Sequence, residues 1–194
     1  MFEDRHLLRR LHYGDKTALR RIYEKYIDDL LRVALSLLSD IQSAEDCLHD
    51  VFVDFAASCD DSMIHSNLKR YLVSCVANRA RDQLRKETRQ SKCPSGQFCS
   101  PAIQKSPVKE LITAEETTRV YEALAELPYQ QREVFVLHVQ GQMRFREIAG
   151  LLDVSINSVQ SRYRYGLKKL RAILKEENRN EIETYKTIGK SNTV

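Results

Sequence analysis

Three of the four prolines of this chain, Pro94, Pro101 and Pro107, fall with Gly96 in one polar stretch, TRQSKCPSGQFCSPAIQKSP, that has no apolar periodicity. Proline lacks the amide a helix needs and fixes its own φ, so neither a helix nor a strand runs through this stretch. The chain is cut into two halves, and residues Arg89 to about Glu115 read as a flexible linker. On both sides the apolar positions recur by threes and fours and glycine is scarce, with only six in 194 residues. Helical spacing in both halves and no strand-like alternation predict an all-α protein of two small helical domains, residues 5–88 and 116–176, with a polar tail at 177–194.

In the first half, Leu19, Ile22, Tyr23, Tyr26, Leu30, Val33, Ala34, Leu37 and Leu38 mark one long amphipathic helix. Ser43 is placed to open a second, with Asp46 at the spacing of a capping box. That helix turns Cys47, Leu48, Val51, Phe52 and Phe55 inward and leaves Glu45, Asp46, His49, Asp50 and Asp54 outward. A third helix, Leu68 to about Glu87, buries Leu72, Cys75, Val76 and Leu84 and shows Arg70, Asn78, Arg81, Arg85 and Lys86. In the second half a helix carrying Val120, Ala123, Leu124 and Leu127 must stop before Pro128, and another runs from about Tyr129 to Val139. Phe145, Ile148, Ala149 and Leu152 then form a short helix, Asp153 and Val154 a turn, and Ser155 the N-cap of a last helix. This is the layout of a helix-turn-helix. The last helix turns Ile156, Val159, Tyr163, Leu167 and Leu170 inward, and after about Glu176 it is expected to fray.

Charge is segregated far more than the net +4 suggests. Residues 39–61 hold seven acids and no Lys or Arg, a net −7; residues 69–92 hold eight bases and two acids, and residues 155–175 six bases and no acid, so each of these windows carries +6. A helix that reads DNA needs short polar side chains near its N-terminus and cations farther along for phosphates. Ser158, Gln160, Ser161 and Arg162 suit base edges, Arg and Gln being able to make bidentate contacts to guanine and adenine. Arg164, Lys168, Lys169 and Arg171 suit phosphates, whereas Tyr163 reads as core and Tyr165 is open to either role. The bland alternative for both basic helices is a solvated surface. Asp46, Asp50 and Asp54, at i, i+4 and i+8, line one helix face and repel one another by a few tenths of a kcal/mol per pair, which a basic partner would relieve. A merely solvated acidic face is the competing reading.

Several classes fall away. No apolar run nears the roughly 18 residues of a membrane span, and the opening MFEDRHLLRRLHYGDK lacks a secretory core, so a cytoplasmic protein without membrane insertion is expected. Five cysteines at irregular spacing argue against a disulfide framework, and Cys93 and Cys99 match no usual zinc or redox spacing. No nucleophile–base grouping, phosphate loop or metal-ligand spacing stands out, so neither catalysis nor a cofactor or metal is expected.

The segment GDKTALRRIYEKYIDDLLRVALSLLSDIQSAEDCLHDVFVDF resembles the core-binding domain of bacterial RNA polymerase sigma factors of the extracytoplasmic-function (ECF) group in the sigma-70 family. YLVSCVANRARDQLRK resembles that domain's promoter-melting helix, and ALAELPYQQREVFVLHVQGQMRFREIAGLLDVSINSVQSRYRYGLKKLR the group's promoter-reading domain. About three quarters of the chain is covered, in family order, with a short linker. The resemblance implies a sigma region 2 bundle and a sigma region 4 helix-turn-helix. It implies core RNA polymerase and promoter DNA as partners, transcription initiation as the function, and an anti-sigma protein as regulator. It assigns Asp46, His49, Asp50 and, with them, Asp54 to polymerase binding, and Asn78, Arg81, Asp82 and Arg85 to the upstream melted element. The loop from Ala57 to Asn67 matches the segment that holds a flipped base. Ser158, Gln160, Ser161, Arg162, Arg164, Tyr165 and Lys168 fall to the distal promoter element. Tyr71 stands where the family usually has Trp, Asp153 where a turn Gly is usual, and Arg144 where a Ser or Thr cap is common, so that helix start should be less well defined. Gln160 and Tyr165 replace frequent basic residues. A stand-alone helix-turn-helix regulator and a polymerase-binding decoy are the alternatives from other classes.

Overall fold

The computed structural model describes residues 2–57, 67–90 and 115–191. Among them are eight helices and no strand: α1 (Phe2–His12), α2 (Lys16–Leu38), α3 (Ile41–Ala57), α4 (Leu68–Gln90), α5 (Glu115–Ala125), α6 (Tyr129–Val139), α7 (Phe145–Leu152) and α8 (Ile156–Ser191). The all-α expectation holds. Most of the loop from Ala57 to Asn67, most of the linker, and Cys93 and Cys99 lie outside the described residues.

Helix α1 is an element to which the sequence analysis assigned no structure. Glu3 and Asp4 sit in its first turn and Arg9, Arg10 and His12 in its last, which matches the helix dipole at both ends. Leu7 and Leu8 are buried against α2. The corner between the two helices uses Gly14 at φ +83 and the N-cap Asp15. The Asp15 carboxylate accepts the Thr17 amide at 2.8 Å, the Thr17 hydroxyl, and the Arg10 guanidinium at 2.6 and 2.8 Å. These donors hold its carboxyl down at about 2. Farther along, Lys25 reaches Glu3 and Asp4, and the Tyr26 hydroxyl donates to Asp4 at 2.8 Å.

Helix α2 closes on Ser39, left-handed at φ 59, and α3 begins two residues before the expected Ser43. The residue that caps it is Asp40, whose carboxylate accepts the Ser43 amide at 2.8 Å, so Ser43 occupies the N3 position. Asn67 likewise accepts the Arg70 amide at the start of α4. Together α2, α3 and α4 bury Ile22, Leu30, Leu37, Phe55, Leu68 and Leu72 almost completely. Tyr71 packs its ring against Phe55 at 6.2 Å between ring centres, an aromatic contact in the position where the family usually has Trp.

In the second lobe α5 stops before Pro128, and α7 ends on Asp153 at φ 52, the left-handed turn anticipated there. Ser155 caps α8, accepting the Ser158 amide at 3.1 Å. The start of α7 is better defined than expected. Arg144 has no acceptor on its side chain, but Glu147 reaches back to the Arg144 amide at 2.7 Å. Tyr163 is core, as expected: it lies edge-on to His138 at 4.9 Å, 5.3 Å from Phe145 and stacked on Phe135 at 6.0 Å. Ile156, expected inward, is exposed, as are Val120 and Tyr23. These three sit at the edges of apolar stripes, where spacing alone does not separate core from rim. Helix α8 does not fray at Glu176; its backbone stays helical to Ser191, with no proline after Ser155 to stop it.

The two lobes pack against each other. One cluster of buried side chains runs from Leu7 through α2, α3 and α4 into Val134, Leu137, Ile148 and Val159, and a smaller one joins Ala123, Leu124 and Leu127 to Leu170.

Candidate nucleic-acid interface and acidic docking face

Helix α8 offers its N-terminal turns outward. Gln160 is exposed, Ser158, Ser161 and Arg162 are half-buried, and Arg164, Tyr165 and Lys168 are exposed, Tyr165 at 65%. The buried side of the same turns, Val159 with Tyr163, seats the helix on α6 and α7. The face left over is the one a major groove could receive. Among the described residues no carboxylate pairs with Arg162, Arg164, Lys168 or Arg171. Lys169 differs from the sequence expectation: its ammonium donates to the Glu126 carbonyl at 2.7 Å, where it caps the end of α5.

Helix α4 carries its cations quite differently. Lys69 pairs with Asp29 at 2.6 Å, Arg70 with Glu147 at 2.6 Å, Arg79 with Asp50, Arg81 with Glu133 at 2.8 Å and Arg85 with Asp82 at 3.8 Å. The four positions assigned to melted DNA, Asn78, Arg81, Asp82 and Arg85, do share one face. Asn78 and Arg81 are joined to each other at 3.2 Å, and Arg81 continues to Glu133 of α6.

Glu133 is the residue that spacing did not single out. Its side chain is only 5% exposed, and one carboxylate oxygen accepts both Arg81 Nε and Nη2, at 3.0 and 2.8 Å. The Tyr129 hydroxyl lies 3.4 Å from the same oxygen, and burial together with that carboxylate pushes the Tyr129 phenol well above its ordinary range. An acid inside the apolar run of α6, YQQREVFVLHV, was the available signal. Next to it Arg132 is half-buried, donates to the Ser39 hydroxyl at 2.6 Å and stacks over Tyr129, while its buried Nε has no partner among the described residues.

The acidic helix has two sides. Asp46 is exposed and accepts only a long 3.4 Å contact from Gln42, whereas Asp50 is bound by Arg79 of α4. Part of the repulsion along Asp46, Asp50 and Asp54 is therefore relieved within the chain. On the other side, His49, Phe52 and Val53 of α3 face Leu19, Tyr23 and Ile27 of α2 across a groove of about 490 Å³ with Glu45 on its wall. Tyr23 is 44% and Val53 52% exposed, and Tyr23 meets Phe52 at 4.8 Å between ring centres. An apolar trough beside exposed carboxylates suits a helix with an apolar stripe and basic flanks. Cys47 and Cys75 are free thiols, and burial raises both, Cys47 to about 11, so neither is poised as a nucleophile.

The sigma-70 region 2 family matches residues 22–90 and the sigma-70 region 4 family residues 117–170. The ECF RNA polymerase sigma factor SigM of Bacillus subtilis is 29% identical over 155 residues, covering 77% of this chain and 92% of SigM. The ECF sigma factor RpoE of Cereibacter sphaeroides is 25% identical over 162 residues, 82% of this chain and 87% of its own length. Among solved structures, the sigma factor RpoE in complex with the anti-sigma factor NepR from Bartonella quintana superposes with a TM-score of 0.65 at 26% identity, over 80% of this chain and 98% of that one. CnrH in complex with the cytosolic domain of CnrY gives 0.64 at 24% identity, over 90% and 98%, and shares the fold. With α2 to α4 matching region 2, and α5 to α8 matching region 4 in family order, the chain belongs to the ECF group of the sigma-70 family of RNA polymerase sigma factors.

Proposed function

We propose that this sigma factor binds core RNA polymerase through the α3 face that carries Asp46, His49, Asp50 and Asp54, together with the apolar groove beside it. On that reading the first lobe sets α4, with Asn78, Arg81, Asp82 and Arg85, on the upstream melted element. The second lobe sets α8 in the major groove of the distal element, where Ser158, Gln160, Ser161 and Arg162 read bases and Arg164, Tyr165 and Lys168 hold the backbone. The chain performs no chemistry of its own; it supplies placement. Neither DNA contact has to be tight alone, because polymerase holds both at fixed spacing and raises their effective concentration.

The observation that carries the reading is the pairing, in one chain, of a helix-turn-helix whose Arg162, Arg164 and Lys168 meet no carboxylate among the described residues with a second lobe that presents an acidic, apolar-grooved face. A stand-alone regulator would need the first face for none of this. The RpoE relative of the same fold was solved with an anti-sigma factor, and the exposed Tyr23 and Val53 suit a masking partner as well as polymerase. Among the described residues no helix is long and apolar enough to cross a membrane.

Run-off transcription with purified core enzyme and a promoter library tests the proposal. Transcripts that require this protein support initiation. Polymerase binding without transcripts would favour a decoy, and tight, specific DNA binding without polymerase would favour a regulator.

A further inference from the structure

Helix α8 has a buried line and, directly opposite, an open one. At about 100° per residue, Val159, Gly166 and Leu170 fall on one side. Val159 is wholly buried, Leu170 is 5% exposed, and a Cβ on Gly166 would lie 3.3 Å from Gln131 Cβ of α6, so this is the side on which the helix sits. Asn157, Ser161, Arg164 and Lys168, at i, i+4, i+7 and i+11, fall on the other. Ser158 and Arg162 are half-buried along a flank of that open line. The Ser158 hydroxyl lies 2.9 Å from Ser155 Oγ, which also accepts the Ser158 amide at 3.1 Å, so this serine is already engaged by the helix cap. Asn157 is exposed, and its side-chain amide has no hydrogen-bond partner among the described residues. Beside it Ile156 is 41% exposed.

We propose that Asn157 is a further specificity-determining residue for the distal element, reading one adenine in the major groove while Ile156 covers the methyl group of a neighbouring thymine. The inference rests on the placement of α8 in that groove. A recognition helix brings its first turns closest to the base edges, and Asn157 is the second residue of α8. Adenine presents an acceptor at N7 and a donor at N6, which the asparagine amide matches by donating from Nδ2 and accepting at Oδ1. Guanine presents acceptors at both places, so Oδ1 would face O6 with no proton between them, and the amide rejects it. Ile156 has no polar group to offer, and the thymine C5-methyl is the apolar feature that the major groove carries. Arg164 and Lys168 lie about 10 Å and about 16 Å farther along the helix axis than Asn157, which takes them away from its base pair and toward phosphates.

The test uses holoenzyme assembled from core RNA polymerase and the full chain, selecting from a promoter library randomised across the distal element. Asn157→Ala should lose an adenine preference of about 5- to 150-fold at one base pair, the worth of one bidentate contact, with the other positions and the unfolding midpoint unchanged. Asn157→Asp, whose carboxylate only accepts, should prefer cytosine on that strand, a change of base that a residue serving the helix start alone would not produce. On the selected promoter, 7-deazaadenine at that position removes the N7 acceptor and should weaken wild type but not Asn157→Ala. Uracil in place of the adjacent thymine removes the methyl and should weaken wild type but not Ile156→Ala. Unaltered base preference in both Asn157 variants overturns the reading by Asn157, and equal tolerance of uracil by wild type and Ile156→Ala overturns the methyl contact. If Gln160→Ala and Ser161→Ala also leave the selected sequence unchanged, the placement of α8 in the groove falls as well; if either shifts its own position while the Asn157 variants do not, only this inference fails.

Discussion

Helices α4 and α8 look alike as sequences and differ as surfaces. Each contains most of a window of net +6, residues 69–92 for α4 and 155–175 for α8. On α4 the cations Lys69, Arg70, Arg79, Arg81 and Arg85 each meet a carboxylate, while on α8 none of Arg162, Arg164, Lys168 and Arg171 pairs with one among the described residues. A run of charge in a sequence therefore states how much charge a helix has, not how much it can offer. The packed neighbours decide that: α4 is flanked by acids of α2, α3, α6 and α7, and α8 rests on the apolar and aromatic side of α6 and α7.

The contrast can be broken most forcefully at the seat of α8. Tyr163→Ala removes the ring that Phe135, His138 and Phe145 share and should cost about 3 kcal/mol in denaturant unfolding. Tyr163→Phe, which keeps the ring, should cost far less. Next comes Arg162→Ala, which should lose about 1–3 kcal/mol of discrimination at one base pair of the distal element in promoter-binding competition, leaving the other positions as they were. Arg164→Ala should lower the salt slope of holoenzyme–promoter binding by about 1 without changing the preferred sequence. Arg85→Ala, already sharing its charge with Asp82, should lower it less; equal losses would erase the distinction between the two helices.

Smaller effects test the local geometry. Asp153→Gly relieves a left-handed backbone that costs a non-glycine residue roughly 1–2 kcal/mol and gives back part of that in unfolded-state entropy, so a gain of about 0.5–1 kcal/mol in thermal unfolding is expected. The Asp15 carboxyl sits at about 2, below its ordinary 3.8, so the charged form favours the folded corner between α1 and α2. That contribution is complete above pH about 4 and is lost as pH falls through about 2. Amide exchange at Thr17 should quicken across that window, and not across it in Asp15→Asn.

How much of this was legible in the sequence depended on range. The helix-turn-helix was readable because its signals are local: Pro128 stops α5, Asp153 turns, and Ser155 caps within a few residues of the helices they bound. The end of α2 was readable for the same reason, although the cap of α3 moved from Ser43 to Asp40, both being capping residue types three apart. Helix α1 carries a legible pattern, acids first and bases last around Leu7 and Leu8, but it is short and its apolar stripe is only two residues wide. The contact between the lobes was not legible. Glu133 and Arg81 are remote in sequence, and nothing local to either marks a partner. The acidic face reads as unneutralised in the sequence because nothing local to Asp50 marks Arg79, 29 residues away, as its partner; in the fold the two are paired. That pairing also makes Asp46 the cleaner probe of the docking face, since a lysine at Asp50 would repel Arg79 as well as any partner.

Co-purification with core RNA polymerase at low ionic strength, with no masking partner present, compares wild type with Asp46→Lys, whose side chain touches no other lobe. Wild type should elute with the core enzyme, and Asp46→Lys should elute free with its helical content and unfolding midpoint preserved. Retention of Asp46→Lys at the wild-type level, or wild type that does not bind, would contradict the docking face on which the placement of both DNA helices depends.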